Sequence, residues 1–254
     1  MAIIRIPLFL VTLVLYIVIS LAAGVLFRKE TTKLKCYGRI TSITAFFVLK
    51  ILGIKVTVVN RPRDKKVFDT VFVISNHLSY LDILVYASVF RSLFITSVEV
   101  QKMFFLGLVS RLGGSFFVER RSKTRLVQEI DRIADVIKKG FTVTLFPEGT
   151  SSNGDTVLPF KGALFCAAEK ANVPILPVCI KYQTINRQPV TRSNRDLVYY
   201  YGDIEFFPHL MKLFFVKQVE VTIEFLEKIN SDVLGRKELV DTVYSAILNC
   251  YKKR

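Results

Sequence analysis

Two histidines occur in this chain of 254 residues, His77 and His209, so any imidazole chemistry runs through one of them. His77 has the company such chemistry needs. In Ser75-Asn76-His77-Leu78-Ser79-Tyr80-Leu81-Asp82 the imidazole stands five residues ahead of a carboxylate. That spacing suits neither regular element. In a strand the two side chains would point to opposite faces, and on a helix they would lie about 140° apart. They meet only if the chain turns between them, with His77 at a strand end and Asp82 in the first turn of a helix. A carboxylate accepting from one ring nitrogen then fixes the tautomer and leaves the other nitrogen as a base. A plainer reading uses the same residues: Ser79-x-x-Asp82 ahead of an apolar run is a helix capping box.

Two other segments offer polar groups where a strand ends. Phe146-Pro147-Glu148-Gly149-Thr150-Ser151-Ser152-Asn153-Gly154 follows a strand-like run, and Gly149 allows a ligand close to main-chain N–H groups. A simple β-turn is the alternative. Glu148 repels a phosphate, and is better suited to accepting a hydroxyl proton or anchoring an arginine. Gly114-Ser115-Phe116-Phe117-Val118-Glu119-Arg120-Arg121 is a strand ending in charge. Its adjacent guanidinium groups suit a phosphate or else a solvated basic surface. His209, in Phe206-Phe207-Pro208-His209-Leu210, reads as structural, in a loop near a bilayer.

Regular elements must position these segments. Runs rich in Val, Ile, Thr and Phe predict strands at 55–59, 71–75, 93–97, 115–119, 141–146, 175–181 and 220–225. Helices are predicted at 83–90, 124–139, 162–171 and 237–252. The second carries Leu126, Ile130, Ile133, Ala134 and Ile137 as one stripe. Alternating strands and helices predict an α/β domain with a largely parallel mixed sheet flanked by helices. Open sheets of this kind hold ligands at the carboxyl ends of their strands, where all three polar segments emerge. The stretch 181–195, with Arg187, Arg192 and Arg195, reads as a polar loop.

Residues 6–27 contain no charge. As a helix they would be roughly 33 Å long, enough to cross a hydrocarbon core. Arg28, Lys29, Lys33, Lys35 and Arg39 follow, opposed only by Glu30, which puts the flank on the cytoplasmic side. A second apolar stretch at 43–54, interrupted by Lys50, reads as an interfacial helix. One crossing plus a surface helix, or a hairpin dipping into one leaflet, both fit. The expected organisation is thus a membrane-anchoring segment at 1–54 and an α/β domain at 55–254. Hydrophobic residues make up 51% and charged residues 22%, which excludes a disordered tail. The net charge of +15 favours phosphate-rich partners such as an anionic bilayer, nucleic acid or a CoA-type substrate. Cys36, Cys166, Cys179 and Cys250 show no Cys/His spacing, which argues against a zinc site and a disulfide framework.

Taken together, the segments resemble the glycerolipid acyltransferases typified by 1-acylglycerol-3-phosphate O-acyltransferase. The family's N-H-x-S-x-x-D stands here as Asn76, His77, Ser79 and Asp82. The strand ending in an acidic residue and arginine matches 114–121. F-P-E-G-T matches 146–150, with Phe160-Lys161-Gly162-Ala163 as a contracted F-K-x-G, and V-P-I-x-P matches Val173, Pro174, Ile175 and Pro177. The resemblance covers about residues 70–180. It implies a membrane-bound enzyme that moves a fatty acyl group from acyl-CoA or acyl carrier protein to a lysolipid hydroxyl. His77 and Asp82 would be catalytic. Asn76, Ser79, Arg120, Arg121, Glu148, Gly149, Thr150 and Lys161 would contact substrate, with backbone N–H groups at 148–150 taking the oxyanion. No cofactor, metal or nucleic-acid partner is expected. The implied acceptor is 1-acylglycerol-3-phosphate. Ser151, where phosphatidic-acid-forming members commonly carry arginine, opens the alternative of another lysolipid such as lyso-ornithine lipid. Ser75 and Ser79 flank His77, but a Ser-His-Asp hydrolase is disfavoured because no G-x-S-x-G occurs. A non-enzymatic alternative is a basic, membrane-anchored lipid- or nucleic-acid-binding protein.

Overall fold

An uncharged segment as long as 6–27 satisfies its backbone most simply as a helix. In the computed structural model, which describes residues 2–64, 67–68, 71–119 and 121–253, this is α1 (Ala2–Leu26). It is the one helix among the described residues long and apolar enough to cross a membrane. The second helix, α2 (Glu30–Leu52), begins well before the apolar stretch at 43–54 that marked it in the sequence. Lys33, Lys35 and Arg39 leave one face to Leu34, Tyr37, Thr41, Ala45, Val48 and Leu52, a helical spacing that runs through the basic stretch. Gly53, at φ 74°, ends α2. A side chain there would press to 2.5 Å from the carbonyl of Lys217.

The two helices form an antiparallel hairpin. Tyr16 faces Thr41 and Gly24 faces Tyr37. The hairpin is also bound along its length to the rest of the chain. Arg5 donates to the carbonyls of Val216 and of Lys217, the latter at 2.9 Å, and Tyr16 donates to the carbonyl of Val109 at 2.9 Å.

Among the described residues eight strands make one sheet: β1 (Ile54–Val59), β2 (Phe72–Ser75), β3 (Leu93–Ser97), β4 (Phe116–Val118), β5 (Val143–Leu145), β6 (Ile175–Ile185), β7 (Gln188–Pro189) and β8 (Val219–Phe225). Their order is β1-β8-β6-β2-β5-β3-β4, with β7 beside β6. Pairing is parallel from β6 through β2, β5 and β3 to β4, and between β1 and β8. It is antiparallel where β6 meets β7 and β8. All seven expected strands are present. The eighth, β7, arises because β6 continues to Ile185 and folds back through Asn186 and Arg187, both at positive φ, as a two-residue hairpin turn requires. The stretch read as a polar loop is therefore in part a β-hairpin.

The helices after α2 are α3 (Leu81–Val89), α4 (Val98–Lys102), α5 (Phe104–Leu112), α6 (Lys123–Lys138), α7 (Cys166–Ala171), α8 (Phe206–Leu213) and α9 (Arg236–Lys252). α2, α3 and α8 cover one face of the sheet, where Leu52, Tyr86 and Leu213 pack with Val73 and Val221. α6, α7 and α9 cover the other, where Ile133, Ala167 and Val243 pack with Phe72 and Ile74. β2 is buried throughout, as a central parallel strand covered on both faces must be. His209, expected in a loop, sits in α8 and is 2% exposed. Pro208 falls in the first helical turn, where its missing N–H costs no hydrogen bond.

Candidate active site

β2 delivers its last residue, Ser75, to the carboxyl edge of the sheet, and the chain turns there before α3 begins at Leu81. This turn gives the five-residue spacing its meaning. His77 Nδ1 lies 2.8 Å from Oδ2 of Asp82 in the first turn of α3. The same oxygen accepts from the N–H groups of Leu78 at 2.6 Å and Ser79 at 3.0 Å. The other oxygen, Oδ1, accepts from the hydroxyl of Tyr182 on β6 at 2.7 Å. Asp82 is fully buried, and four donors are what a buried carboxylate requires. One half of the capping box is present, the Ser79 N–H donating to Asp82, and the carboxylate that closes the turn also holds the imidazole. Because Asp82 only accepts, the ring proton sits on Nδ1. Nε2 makes no hydrogen bond among the described residues, and the ring stacks on Phe146 at 4.3 Å.

The turn after β5 fixes the backbone of His77. Glu148 Oε1 accepts from the His77 N–H at 2.6 Å, and Oε2 accepts from the Leu158 N–H at 2.8 Å. Ser152 donates its N–H to the His77 carbonyl at 2.9 Å. Burial pushes the Glu148 carboxyl up to about 8, against the pull of these two donors. On the other side, Asn76 donates to the carbonyl of Ile180 at 3.0 Å and accepts its N–H at 2.9 Å. Hydrogen bonds from the Asn76 and Glu148 side chains and one main-chain bond thus tie the 76–82 turn to β6 and to the 146–158 segment.

These contacts redistribute the residues expected to meet substrate. Asn76, Ser79 and Glu148 are buried, and their polar atoms brace the turn. Gly149 has the positive φ of 79° that its place in the turn demands, and its N–H closes on the Phe146 carbonyl at 3.3 Å. Thr150 is exposed beside it. Lys161 is exposed, while its N–H donates to the carbonyl of Pro147 at 2.9 Å. Arg121 is paired at 3.4 Å with Glu99 in a solvent-exposed contact. It follows β4, three strands from β2 and so about 14 Å away across the sheet. Arg120 lies outside the described residues. The sequence assigns no role to Tyr182, and Phe146 enters only as part of F-P-E-G-T, with no role of its own. The signal for Tyr182 is its position two residues beyond Ile180 on β6, on the face that Asn76 clamps.

An apolar cavity of about 150 Å³ has Tyr80 and Leu81, the two residues before Asp82, in its wall. It runs between α3, α5 and α8 to the helical hairpin, lined by residues such as Phe9, Ala45, Leu84, Val109 and Phe206. Beside it the Tyr80 hydroxyl and His209 Nδ1 are hydrogen-bonded at 3.0 Å, and burial lowers the basicity of His209. No cluster of three or more metal-ligating side chains occurs among the described residues.

These features define an α/β protein with an imidazole–carboxylate pair at the strand ends of its sheet, an apolar cavity walled in part by the neighbouring Tyr80 and Leu81, and a long apolar helix. Residues 55–181 match the acyltransferase family, and the chain belongs to that family. It is 35% identical over 173 residues to a lyso-ornithine lipid O-acyltransferase of Rhizobium meliloti (strain 1021), covering 65% of this chain and 59% of the relative. It is 30% identical over 157 residues to a 1-acyl-sn-glycerol-3-phosphate acyltransferase of Neisseria gonorrhoeae, covering 61% of this chain and 59% of the relative. The matched stretch thus spans about three fifths of each relative's length. The crystal structure of the 1-acyl-sn-glycerophosphate (LPA) acyltransferase PlsC from Thermotoga maritima superposes with a TM-score of 0.68. It covers 98% of this chain and 94% of that one at 21% identity, a likeness of fold.

Proposed function

We propose that the chain transfers a fatty acyl group from an acyl thioester, acyl-CoA or acyl carrier protein, to the free hydroxyl of a lysolipid at a bilayer surface. The observation that carries this reading is His77, held through Nδ1 by a buried carboxylate with Nε2 left unbound. Nε2 takes the proton from the acceptor hydroxyl as its oxygen attacks the thioester carbonyl. The C–S bond then breaks, and the imidazolium returns the proton to the departing thiolate. No acyl-enzyme forms, because the acceptor is itself the nucleophile. Such general-base help contributes on the order of 10²–10⁴ in rate. The oxyanion is assigned to the N–H groups of Glu148 and Thr150 in this turn, since that of Gly149 closes on the Phe146 carbonyl.

The apolar cavity, with Tyr80 and Leu81 in its wall, is the natural place for an acyl chain. The outer face of α1, with Ile4, Val11, Val14 and Val18 more than half exposed, is the face for lipid. Arg5 anchors the start of α1 to the carbonyls of Val216 and Lys217, so the helix meets the bilayer along its side and lies within one leaflet. Arg28, Lys29 and Lys33 then face anionic headgroups on the cytoplasmic side.

Between acceptors, Ser151 favours lyso-ornithine lipid. Its hydroxyl donates to the carbonyl of Tyr200 and brings no cation to the turn, whereas a phosphomonoester dianion calls for one. The relatives named lyso-ornithine lipid O-acyltransferase from Rhizobium meliloti and Brucella abortus, at 35% and 36% identity, point the same way. The second reading, 1-acylglycerol-3-phosphate, rests on the 30% identity to the Neisseria gonorrhoeae enzyme. Purified protein given labelled acyl thioesters and a panel of lysolipids tests both. The expected product is ornithine lipid, and a preference for lysophosphatidate reverses the order. Undiminished thioester turnover in His77→Ala would remove the mechanism.

A further inference from the structure

We infer that α5 and α8 form a second bilayer-inserting surface beside the helical hairpin. Outside that hairpin, the exposed large apolar residues are concentrated on these two helices and their ends. Met103, Phe104 and Leu108 belong to α5 and the residue before it, and Phe207, Met211 and Phe215 to α8 and its end. Only Val127 and Val233 lie elsewhere among the described residues. Phe104 is 93% exposed, Phe207 63% and Phe215 68%.

Their spacing is helical. Residues 207, 211 and 215 recur every four positions, as do 104 and 108, so each set makes one outward stripe. The inward positions Phe206, Leu210 and Leu213 already supply what the core needs from α8. An outward apolar stripe adds nothing to folding in water, and a contiguous one marks a partner surface.

The partner is a lipid bilayer, because the surface continues the one assigned to α1. Phe214 packs edge-on against Phe9 of α1 at 5.2 Å, and Arg5 of α1 binds the carbonyls that follow α8. Tyr16 of α1 binds the carbonyl of Val109 on α5. Phe105 touches Phe206 at 5.7 Å and Phe207 at 6.1 Å, which joins α5 to α8. The exposed Lys212 and Lys217 sit where snorkelling ammonium groups would reach anionic headgroups.

The inner residues of the same two helices, Phe105, Phe206 and Leu210, line the apolar cavity. The cavity wall is then the wall that touches lipid, and an acyl chain reaches the cavity without passing through water. The inference rests on the membrane reading of α1 given above.

The chain contains no tryptophan, so one introduced residue reports alone. Phe104→Trp, Phe207→Trp and Phe215→Trp would be mixed with phosphatidylglycerol vesicles carrying brominated acyl chains, beside Val14→Trp on α1 and Val233→Trp before α9. Fluorescence of the three test sites should fall roughly two-fold, like Val14→Trp, as expected for rings about 5–10 Å below the headgroups. Val233→Trp should stay bright. Quenching confined to Val14→Trp overturns the inference and leaves the hairpin's membrane role intact. No quenching at any site removes the membrane reading and the inference together. Test sites shielded from acrylamide in lipid-free protein would assign the surface to a second copy of the chain instead.

Discussion

Tyr182 donates its hydroxyl to Oδ1 of Asp82 at 2.7 Å from a position 100 residues further along the chain. His77 takes the opposite oxygen of the same carboxylate at 2.8 Å. β6 therefore orients the imidazole through Asp82 without touching it. Tyr182→Phe keeps the ring in its buried site and removes only the donor. A buried acceptor left unpaired costs about 1–3 kcal/mol, so thermal melting should reveal a lower Tm. The carboxylate is also freed to rotate away from Nδ1. We expect kcat to fall roughly ten-fold, equivalent to about 1.4 kcal/mol, with KM unchanged. Wild-type kcat and Tm together would show that the tyrosine hydroxyl holds nothing.

His77→Ala and Asp82→Asn separate chemistry from folding. The His77 side chain is 18% exposed and Asp82 is fully buried. Removing the imidazole forfeits its stacking on Phe146, about 0.5–1.5 kcal/mol. Water entering the part-exposed space it leaves can replace its N–H at Oδ2, which also keeps the two backbone donors of Leu78 and Ser79. Turnover should fall by roughly 10²–10⁴. Asparagine at 82 retains one acceptor oxygen and turns an amide N–H₂ toward groups that already donate. Circular-dichroism melts should place Asp82→Asn about 3 kcal/mol or more below wild type, and turnover should be lost as well. Equal stability of the two variants would contradict the central place given to Asp82.

Much of this arrangement is legible in the sequence, because strand-end motifs declare themselves by residue type. His77 and Asp82 are few residues apart, and only a turn reconciles their spacing. What was not legible depends on partners distant in sequence. Tyr182 is one aromatic among ten tyrosines, and nothing local says that its hydroxyl reaches Asp82. Glu148 looks like a reactive carboxylate until the N–H groups of His77 and Leu158 are seen to occupy both its oxygens. The start of α2 was hidden by basic residues that face outward, while its inward face kept the helical spacing. α8 was obscured by Pro208, a residue that breaks helices anywhere but in their first turn.

The raised value of Glu148 gives a dependence on pH with a definite sign. Its carboxyl sits at about 8 in the folded chain against an ordinary 4.5, so between these values the folded state holds a proton that the unfolded state releases. The stability this group confers is complete below pH ~4.5 and is lost as pH rises through about 8. The loss runs at up to about 1.4 kcal/mol per pH unit. Glu148→Gln has nothing to titrate there, although its amide costs one of the two backbone contacts. Denaturant unfolding from pH 5 to 9 should show wild type losing stability relative to Glu148→Gln as pH rises, with the difference levelling off above pH 8. Parallel curves would mean that Glu148 is ionised throughout.

If the apolar cavity holds the acyl chain, filling it must shorten the chain accepted. Ser110 on α5 is a small residue on its wall, half-buried, and its carbonyl accepts the Ser115 N–H at 3.0 Å, a bond the side chain does not make. Ser110→Phe keeps that backbone contact and puts a ring into a space of about 150 Å³, more than a well-packed wall absorbs without displacement. A shortened cavity no longer covers the last carbons of a long chain, each worth about 0.8 kcal/mol when buried. Losing two such carbons lowers kcat/KM for the long thioester roughly fifteen-fold, while a shorter one that never reached them keeps its rate. Competition between long- and short-chain acyl thioesters, with products resolved by mass, reads this ratio directly. A proportional fall for every chain length would mean that the ring has damaged the fold, visible as a lower Tm. An unchanged ratio with an unchanged Tm would place the acyl chain outside the cavity.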